Sequence, residues 1–350
     1  MSCLNFNNTF KYGFSKELIL QTRDLNKLLT LDLELSHKCN YACKYCYTAA
    51  GVSMKEELNI DEVKYVIDQA YALGVDTIII IGGGEPLIYP QLKGILQYIA
   101  EKGIHIVLFT NGAALDKDMA ELLYHYDVFP VIKVNGVRAK TINWLCGNKG
   151  AYQNFLKALI NLQNVGYFRK KNEIGISTII CNQNYDEMIP LWTWARENGI
   201  IPYFERVSPQ GRAQEYDLRV SSEDLKQLFE KFAQIDKDNY DIEWQAVNPP
   251  IAGTTCDRHF YSLYIRANGD VMPCAGIDLP VGNVRDHTLQ DIIINSPVIQ
   301  DLRHADQKVK GKCKNCDANG LCYGCRGNAY QLANDYLAED PLCWVNGGQG

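Results

Sequence analysis

From Thr30 to about Gln234, short apolar runs alternate with longer amphipathic stretches in a regular order. The runs at 31–35, 77–81, 105–109, 131–134, 174–180 and 201–206 are strand-length and rich in β-branched residues. Between and after them, apolar residues recur at helical spacing over 61–73, 91–102, 117–124, 152–165, 186–197 and 222–235. Gly74, Gly103, Gly166 and Gly199 stand at or just past the last periodic residue of four stretches, where helices commonly stop. Ser221-Ser222-Glu223-Asp224 supplies capping groups for the sixth. Strands alternating with helices of this length predict a parallel sheet with right-handed crossovers. Six units are too few for a closed eight-stranded barrel. The expected class is therefore α/β, a partial (β/α)6 TIM-like barrel open on one side, whose chemistry would gather at the carboxyl ends of its strands. The chain divides into an extension over 1–29, the barrel over 30–235 and a cysteine-rich extension over 236–350.

Composition narrows the partners. A chain of 350 residues with 47% apolar content can bury a sizeable core. Its 35 basic and 41 acidic residues leave a net charge of −6 with no basic run, which disfavours nucleic acid. The apolar runs fall far short of a membrane span, and the N-terminus has no secretory pattern, so no membrane partner is expected. The sequon at Asn7 is empty without secretion. Thirteen cysteines in such a chain point to metal rather than disulfides, and to a cytoplasmic, oxygen-sensitive protein.

Cys39, Cys43 and Cys46 follow the first strand at Cys-x3-Cys-x2-Cys spacing. Three thiolates this close can hold three irons of a 4Fe–4S cube and leave the fourth open, whereas structural zinc wants four protein ligands. The second strand runs into Gly82-Gly-Gly-Glu-Pro86, a turn in which glycines permit close backbone approach beside a carboxylate. With Tyr45 as the aromatic before the third cysteine, these motifs resemble the radical SAM superfamily. The resemblance implies that the open iron chelates S-adenosylmethionine (SAM) and that an electron from the cluster releases a 5′-deoxyadenosyl radical. It implies that Gly83, Gly84 and Glu85 meet the SAM amino group, with Asn111 at the end of strand three nearby. Where many relatives read Ser-x-Asp-Gly after strand four, this chain has Lys133-Val-Asn-Gly136. Lys133 either meets the SAM carboxylate or ribose, or is a solvent-facing lysine. Ser177 and Arg206 are expected at the same mouth, and Pro209-Gln-Gly-Arg212 looks like the family's turn after strand six.

A second set comprises Cys256, Cys274, Cys313, Cys316, Cys322, Cys325 and Cys343. A hairpin over 262–266 and 271–273, turned by Asn268-Gly269, lies between the first two. This set resembles the SPASM extension of radical SAM proteins. Carried over, Cys256, Cys274 and Cys325 would hold one auxiliary cluster, and Cys313, Cys316, Cys322 and Cys343 a second. The alternative is a zinc ribbon on the two Cys-x2-Cys pairs. Ser262 stands where some relatives have a fourth ligand for the first cluster, so substrate, His259 or Tyr261 would close it. Ala275 replaces the aspartate base of sulfatase-maturating relatives, which disfavours that activity. Of the remaining thiols, Cys3 reads as a small hydrophobe. Cys181 and Cys146, near the barrel mouth, are candidate catalytic hydrogen-atom donors.

The expected function is a radical SAM oxidoreductase or maturase with SAM and three 4Fe–4S clusters as cofactors. It would oxidise or cross-link a peptide residue. The alternatives are a dehydrogenase or epimerase of an aminosugar, aminocyclitol or tetrapyrrole, and a non-catalytic multi-cluster electron carrier. Expected partners are a reducing protein such as flavodoxin or ferredoxin and, since only some thirty residues precede the barrel, a separate leader-binding protein.

Overall fold

A computed structural model describes residues 13–169, 173–247 and 250–345; Cys3 and the sequon at Asn7 lie outside them. Nine strands form one sheet: β1 Thr30–Leu33, β2 Thr77–Ile80, β3 His105–Thr110, β4 Phe129–Lys133, β5 Gly175–Ile180, β6 Ile201–Arg206, β7 Ser262–Ile265, β8 Asp270–Met272 and β9 Gly282–Asn283. Their spatial order is β6-β5-β4-β3-β2-β1-β7-β8-β9. Strands β1 to β6 pair in parallel with sequence neighbours, and β6 does not close onto β1, as six strand–helix units predict.

Period-two alternation splits each barrel strand between two environments. Leu31, Leu33, Ile78, Ile80, Leu108 and Ile132 join the large core under the helices. Ile79, Val107, Phe129, Val131, Ile201 and Tyr203 form a separate cluster inside the bore. Among the described residues the α-helices are α1 Lys16–Asp24, α2 Ile60–Ala72, α3 Leu92–Glu101, α4 Lys117–His125, α5 Ala139–Leu145, α6 Ala151–Val165, α7 Met188–Glu197, α8 Ser222–Tyr240, α9 Leu289–Asn295, α10 Pro297–Arg303, α11 Ala305–Lys308, α12 Gly311–Lys314 and α13 Arg326–Ala333. Asn59 starts α2 with a capping box closed by Glu62. Helix α8 runs five residues past its expected end at Ile235. The cause is Asp236, fully buried, which accepts from Trp192 Nε1 at 2.8 Å, Arg196 Nε at 3.0 Å and Trp244 Nε1 at 2.9 Å.

The hairpin expected to belong to the cysteine-rich extension continues the barrel sheet instead. Strand β7 lies parallel to β1, with Thr30 opposite Ser262 and Leu33 opposite Ile265. Gly269 turns β7 into β8 at φ +89°, the left-handed conformation that an Asn-Gly turn requires. Ser262 is thus a buried strand residue.

Glu34 locks this junction. Its buried carboxyl accepts from Tyr264 Oη and from the Ala267 amide at 3.1 Å, and burial pushes it up to about 7. The unfolded chain ionises this group near 4.5, so folding stability falls as pH rises from about 4.5 through 7 and levels off above. A shift of this size is worth about 3 kcal/mol. Glu34→Gln should therefore gain stability relative to the wild type as pH rises from 5 to 8 in anaerobic melts. Parallel curves for the two proteins would count against this assignment.

Candidate active site

The loop carrying Cys39, Cys43 and Cys46 leaves β1 and is held from two sides. Arg212, in the turn after β6, donates through its amide to Cys46 O at 2.9 Å, through Nη1 to Cys43 O at 2.8 Å and through Nη2 to Ala50 O at 2.5 Å. Gly211 sits at φ +58°, and a Cβ there would stand 2.3 Å from Tyr47 O. From the other side, Gly84 N donates to Ser36 O at 2.8 Å and Glu85 N to Lys38 O at 2.9 Å. A Cβ would meet Lys38 O at 1.9 Å from Gly84, and Glu34 Oε2 at 2.5 Å from Gly83. The glycine turn is needed because two loops pack backbone on backbone.

Glu85 does more for the scaffold than the sequence implies. Its buried carboxylate accepts from Thr110 Oγ1 at 2.6 Å, Asn111 N at 2.8 Å and Leu87 N at 3.0 Å. Burial raises its pKa. Three of about four lone-pair positions are taken, so the side chain chiefly ties the loop after β2 to the end of β3. Asn111 Nδ2 in turn reaches Asn40 Oδ1 in the cysteine loop at 2.7 Å.

Lys133, Ser177 and Tyr45 come together at the mouth. Lys133 Nζ donates to Ser177 Oγ at 2.9 Å and lies 5.1 Å over the Tyr45 ring, so it is not a solvent-facing lysine. Its carboxylate neighbour is Glu205 at 3.9 Å. Arg206 does not join this group. Adjacent strand residues face opposite ways, and Arg206 Nη2 instead donates to Leu342 O at 3.0 Å, fastening the barrel to the carboxyl-terminal segment.

Both candidate donor thiols are buried. Cys146 Sγ lies 3.7 Å from Tyr45 Oη and 3.9 Å from Asn135 Nδ2. A hydrogen bond from Cys43 lowers its pKa, and that contact together with burial raises that of Cys43. Cys181 is fully buried, its thiol pushed up to about 12 by burial. It packs with Tyr45, Leu145 and Ile179.

Below the mouth, a chamber of about 810 Å³ occupies the amino-terminal half of the bore. Thr30, Ile79, Val107, Val131 and Tyr203 line its barrel wall, and neither Cys146 nor Cys181 reaches it. Its floor is the segment from Thr254 to Arg258 with Phe260, Tyr261 and Tyr323, and Cys256 is part of that floor. Two of the lining cations are ion-paired and the third is held by a backbone carbonyl. Arg258 Nη1 bonds Asp32 at 2.8 Å, Arg23 contacts Asp24 and Asp306, and Lys16 Nζ donates to Gly320 O at 2.6 Å.

The carboxyl-terminal thiols fall into two groups. Burial raises Cys256, Cys274 and Cys325; the nearby Cys325 adds to it for Cys256 and Cys274, and Asp340 for Cys325. Cys313, Cys316, Cys322 and Cys343 line one small cavity beside Gly324. Among the described residues, no three His, Cys, Asp or Glu side chains converge where a single metal ion would sit. In a 4Fe–4S cube each thiolate binds a different corner iron, so the ligands of one cluster need not converge on a single point. His259 is buried with Nδ1 unpartnered, and burial lowers its pKa to about 3.

Glu34, Glu205, Asp32 and Arg258 were not singled out by sequence. Their one signal is a charged residue inside an otherwise apolar strand or beside a cysteine.

The sequence pattern described as the radical SAM superfamily matches residues 33–194, and that of the SPASM iron–sulfur cluster-binding domain matches 256–317. The chain is 28% identical over 352 positions to the AdoMet-dependent heme synthase of Methanosarcina barkeri, covering 90% of this chain and 96% of that protein. It is 26% identical over 336 positions to mycofactocin maturase MftC of Mycolicibacterium smegmatis, covering 92% and 84%. In fold it is similar to Streptococcus suis SuiB bound to precursor peptide SuiA, with a TM-score of 0.72 at 21% identity, over 93% of this chain and 78% of that one.

Proposed function

The chain belongs to the radical SAM superfamily and carries a SPASM iron–sulfur domain, and from this premise we propose that it oxidises or cross-links an apolar or aromatic residue of a peptide. When bound, the clusters and SAM supply a 5′-deoxyadenosyl radical that takes a substrate hydrogen atom, and an acceptor for the electron left behind. The residues divide the remaining work. Cys39, Cys43 and Cys46 hold the SAM-binding cluster, and the Gly82–Gly84 backbone with Tyr45, Lys133 and Ser177 frames SAM. Cys256, Cys274 and Cys325 hold one auxiliary cluster, and Cys313, Cys316, Cys322 and Cys343 the other. The substrate residue would meet SAM beside Tyr45, Lys133 and Ser177 at the carboxyl ends of the strands, since only a carbon held there lies within reach of the radical.

The packing of the Cys39–Cys46 loop on the Gly82–Gly84 turn, with Lys133, Ser177 and Tyr45 at the same mouth, carries the SAM part of this reading, and SuiB, similar in fold, is known bound to a precursor peptide. The second reading, a tetrapyrrole substrate, is favoured by the full-length similarity to the haem synthase. Anaerobically reconstituted protein, SAM and dithionite should be given either a synthetic peptide library rich in Val, Leu, Tyr and Phe or iron coproporphyrin III. Peptides losing two mass units support the proposal. Loss of propionate carboxyl mass from the tetrapyrrole with unmodified peptides would replace it by the second reading.

Reducing equivalents would come from a small carrier such as flavodoxin or ferredoxin. Among the described residues, no helix is long and apolar enough to cross a membrane.

An oxidative route needs no hydrogen-atom donor, and the seclusion of Cys181 agrees with that. Cys181→Ala should keep product formation within about tenfold, since it removes one buried sulfur. Deuterium taken from heavy water into the wild-type product, and lost in the variant, would make the enzyme an epimerase instead.

A further inference from the structure

Arg326 opens the helix Arg326–Ala333 immediately after Cys325 and is 1% exposed. Its donors reach Ala338 O at 2.5 Å, Tyr336 O at 3.2 Å, Gly324 O at 3.4 Å and, through Nη2, Cys313 Sγ at 3.9 Å. Among the described residues, no carboxylate lies within ion-pair distance of it. The nearby Asp340 carboxylate accepts from the amides of Cys325 and Leu342, both at 3.0 Å, and Asp335 is close enough for the Arg326 charge to help lower its pKa.

A guanidinium stays charged in a protein, and burying it calls for compensating dipoles and charge around it. Carbonyl dipoles supply part of that compensation. The remaining neighbours are thiols of both auxiliary groups: Cys325 is the preceding residue, and Cys313 belongs to the other set. Thiolates bound to iron would place negative charge directly at the Nη2 that faces Cys313 Sγ. Hydrogen bonds to sulfur and local net charge are among the main levers on a cluster's reduction potential.

We propose that Arg326 is the counter-ion built in for the auxiliary clusters, and that it raises the reduction potential of the one held by Cys313, Cys316, Cys322 and Cys343. This rests on the reading that both thiol sets hold clusters. Reduction adds an electron to an already anionic cluster, and a fixed cation beside one of its sulfurs stabilises the product more than the reactant. Arg326 is a positioning residue: it touches a cluster ligand and no substrate.

The test is an EPR-monitored redox titration of the full chain, reconstituted anaerobically, as wild type, Arg326→Gln and Arg326→Lys. With Arg326→Gln, one auxiliary signal should titrate at a more negative potential, while the SAM-responsive signal stays in place. Arg326→Lys keeps the charge but loses the fork to Tyr336 and Ala338, and should titrate close to wild type. Full iron with unchanged potentials in Arg326→Gln overturns the proposal. So does loss of that cluster's iron from both variants, which would make Arg326 a structural tie for the tail. A wild type with no auxiliary signals would instead defeat the reading beneath it.

Discussion

Replacing Cys39, Cys43 and Cys46 together with alanine is expected to remove about four of about twelve irons per chain. Cleavage of SAM should disappear with them, a loss of at least about a thousandfold. The fold should survive, because this loop is held by backbone groups. Arg212 clasps the carbonyls of Cys43 and Ala50, and Lys44 N donates to Leu145 O at 2.9 Å. The other thiol groups lie in the carboxyl-terminal domain and should keep their iron. Iron analysis together with chromatography of 5′-deoxyadenosine reads both effects. A triple variant that still makes 5′-deoxyadenosine would mean the SAM site lies elsewhere.

Gly84→Ala should be nearly as damaging by a different route. The added methyl would stand 1.9 Å from Lys38 O and 2.8 Å from His37 C, both backbone atoms that have nowhere to go. The two loops must separate, breaking the hydrogen bonds from Gly84 N to Ser36 O and from Glu85 N to Lys38 O. Overpacking of this kind costs about 3 kcal/mol. SAM affinity should fall by at least about a hundredfold, because a cost of that size is paid whenever the site assembles. Gly51→Ala, where a Cβ meets nothing within 4 Å, is the matched control and should be silent. Equal SAM affinity in the two variants, measured anaerobically by calorimetry, would show that the close approach does not shape the SAM site.

The parts of this fold that were legible in sequence are those set by local pattern. The run 77–81 could be little else than a strand buried on both faces, and glycines at 74, 103, 166 and 199 marked helix ends because positive φ is a local need. Helix α5 escaped because its seven residues are too few to show a period. The pairing of β7 with β1 escaped because partners more than 200 positions apart leave no local trace. Arg206 was misplaced by one residue of strand parity, which puts Glu205 at the mouth and Arg206 on the outer side. The grouping of the carboxyl-terminal thiols came from family resemblance, and the structure collects the same sets. The raised carboxyl of Glu34 depends on Tyr264, a contact no motif encodes.

The central claim is that the loop after β1 generates a SAM-derived radical for a substrate held at the mouth of the barrel. Its most direct test is to incubate the anaerobically reconstituted wild-type chain with SAM and dithionite and to quantify 5′-deoxyadenosine. 5′-Deoxyadenosine should accumulate, slowly without substrate and faster once a peptide substrate is added. A chain with its full iron complement that leaves SAM intact under these conditions would contradict it.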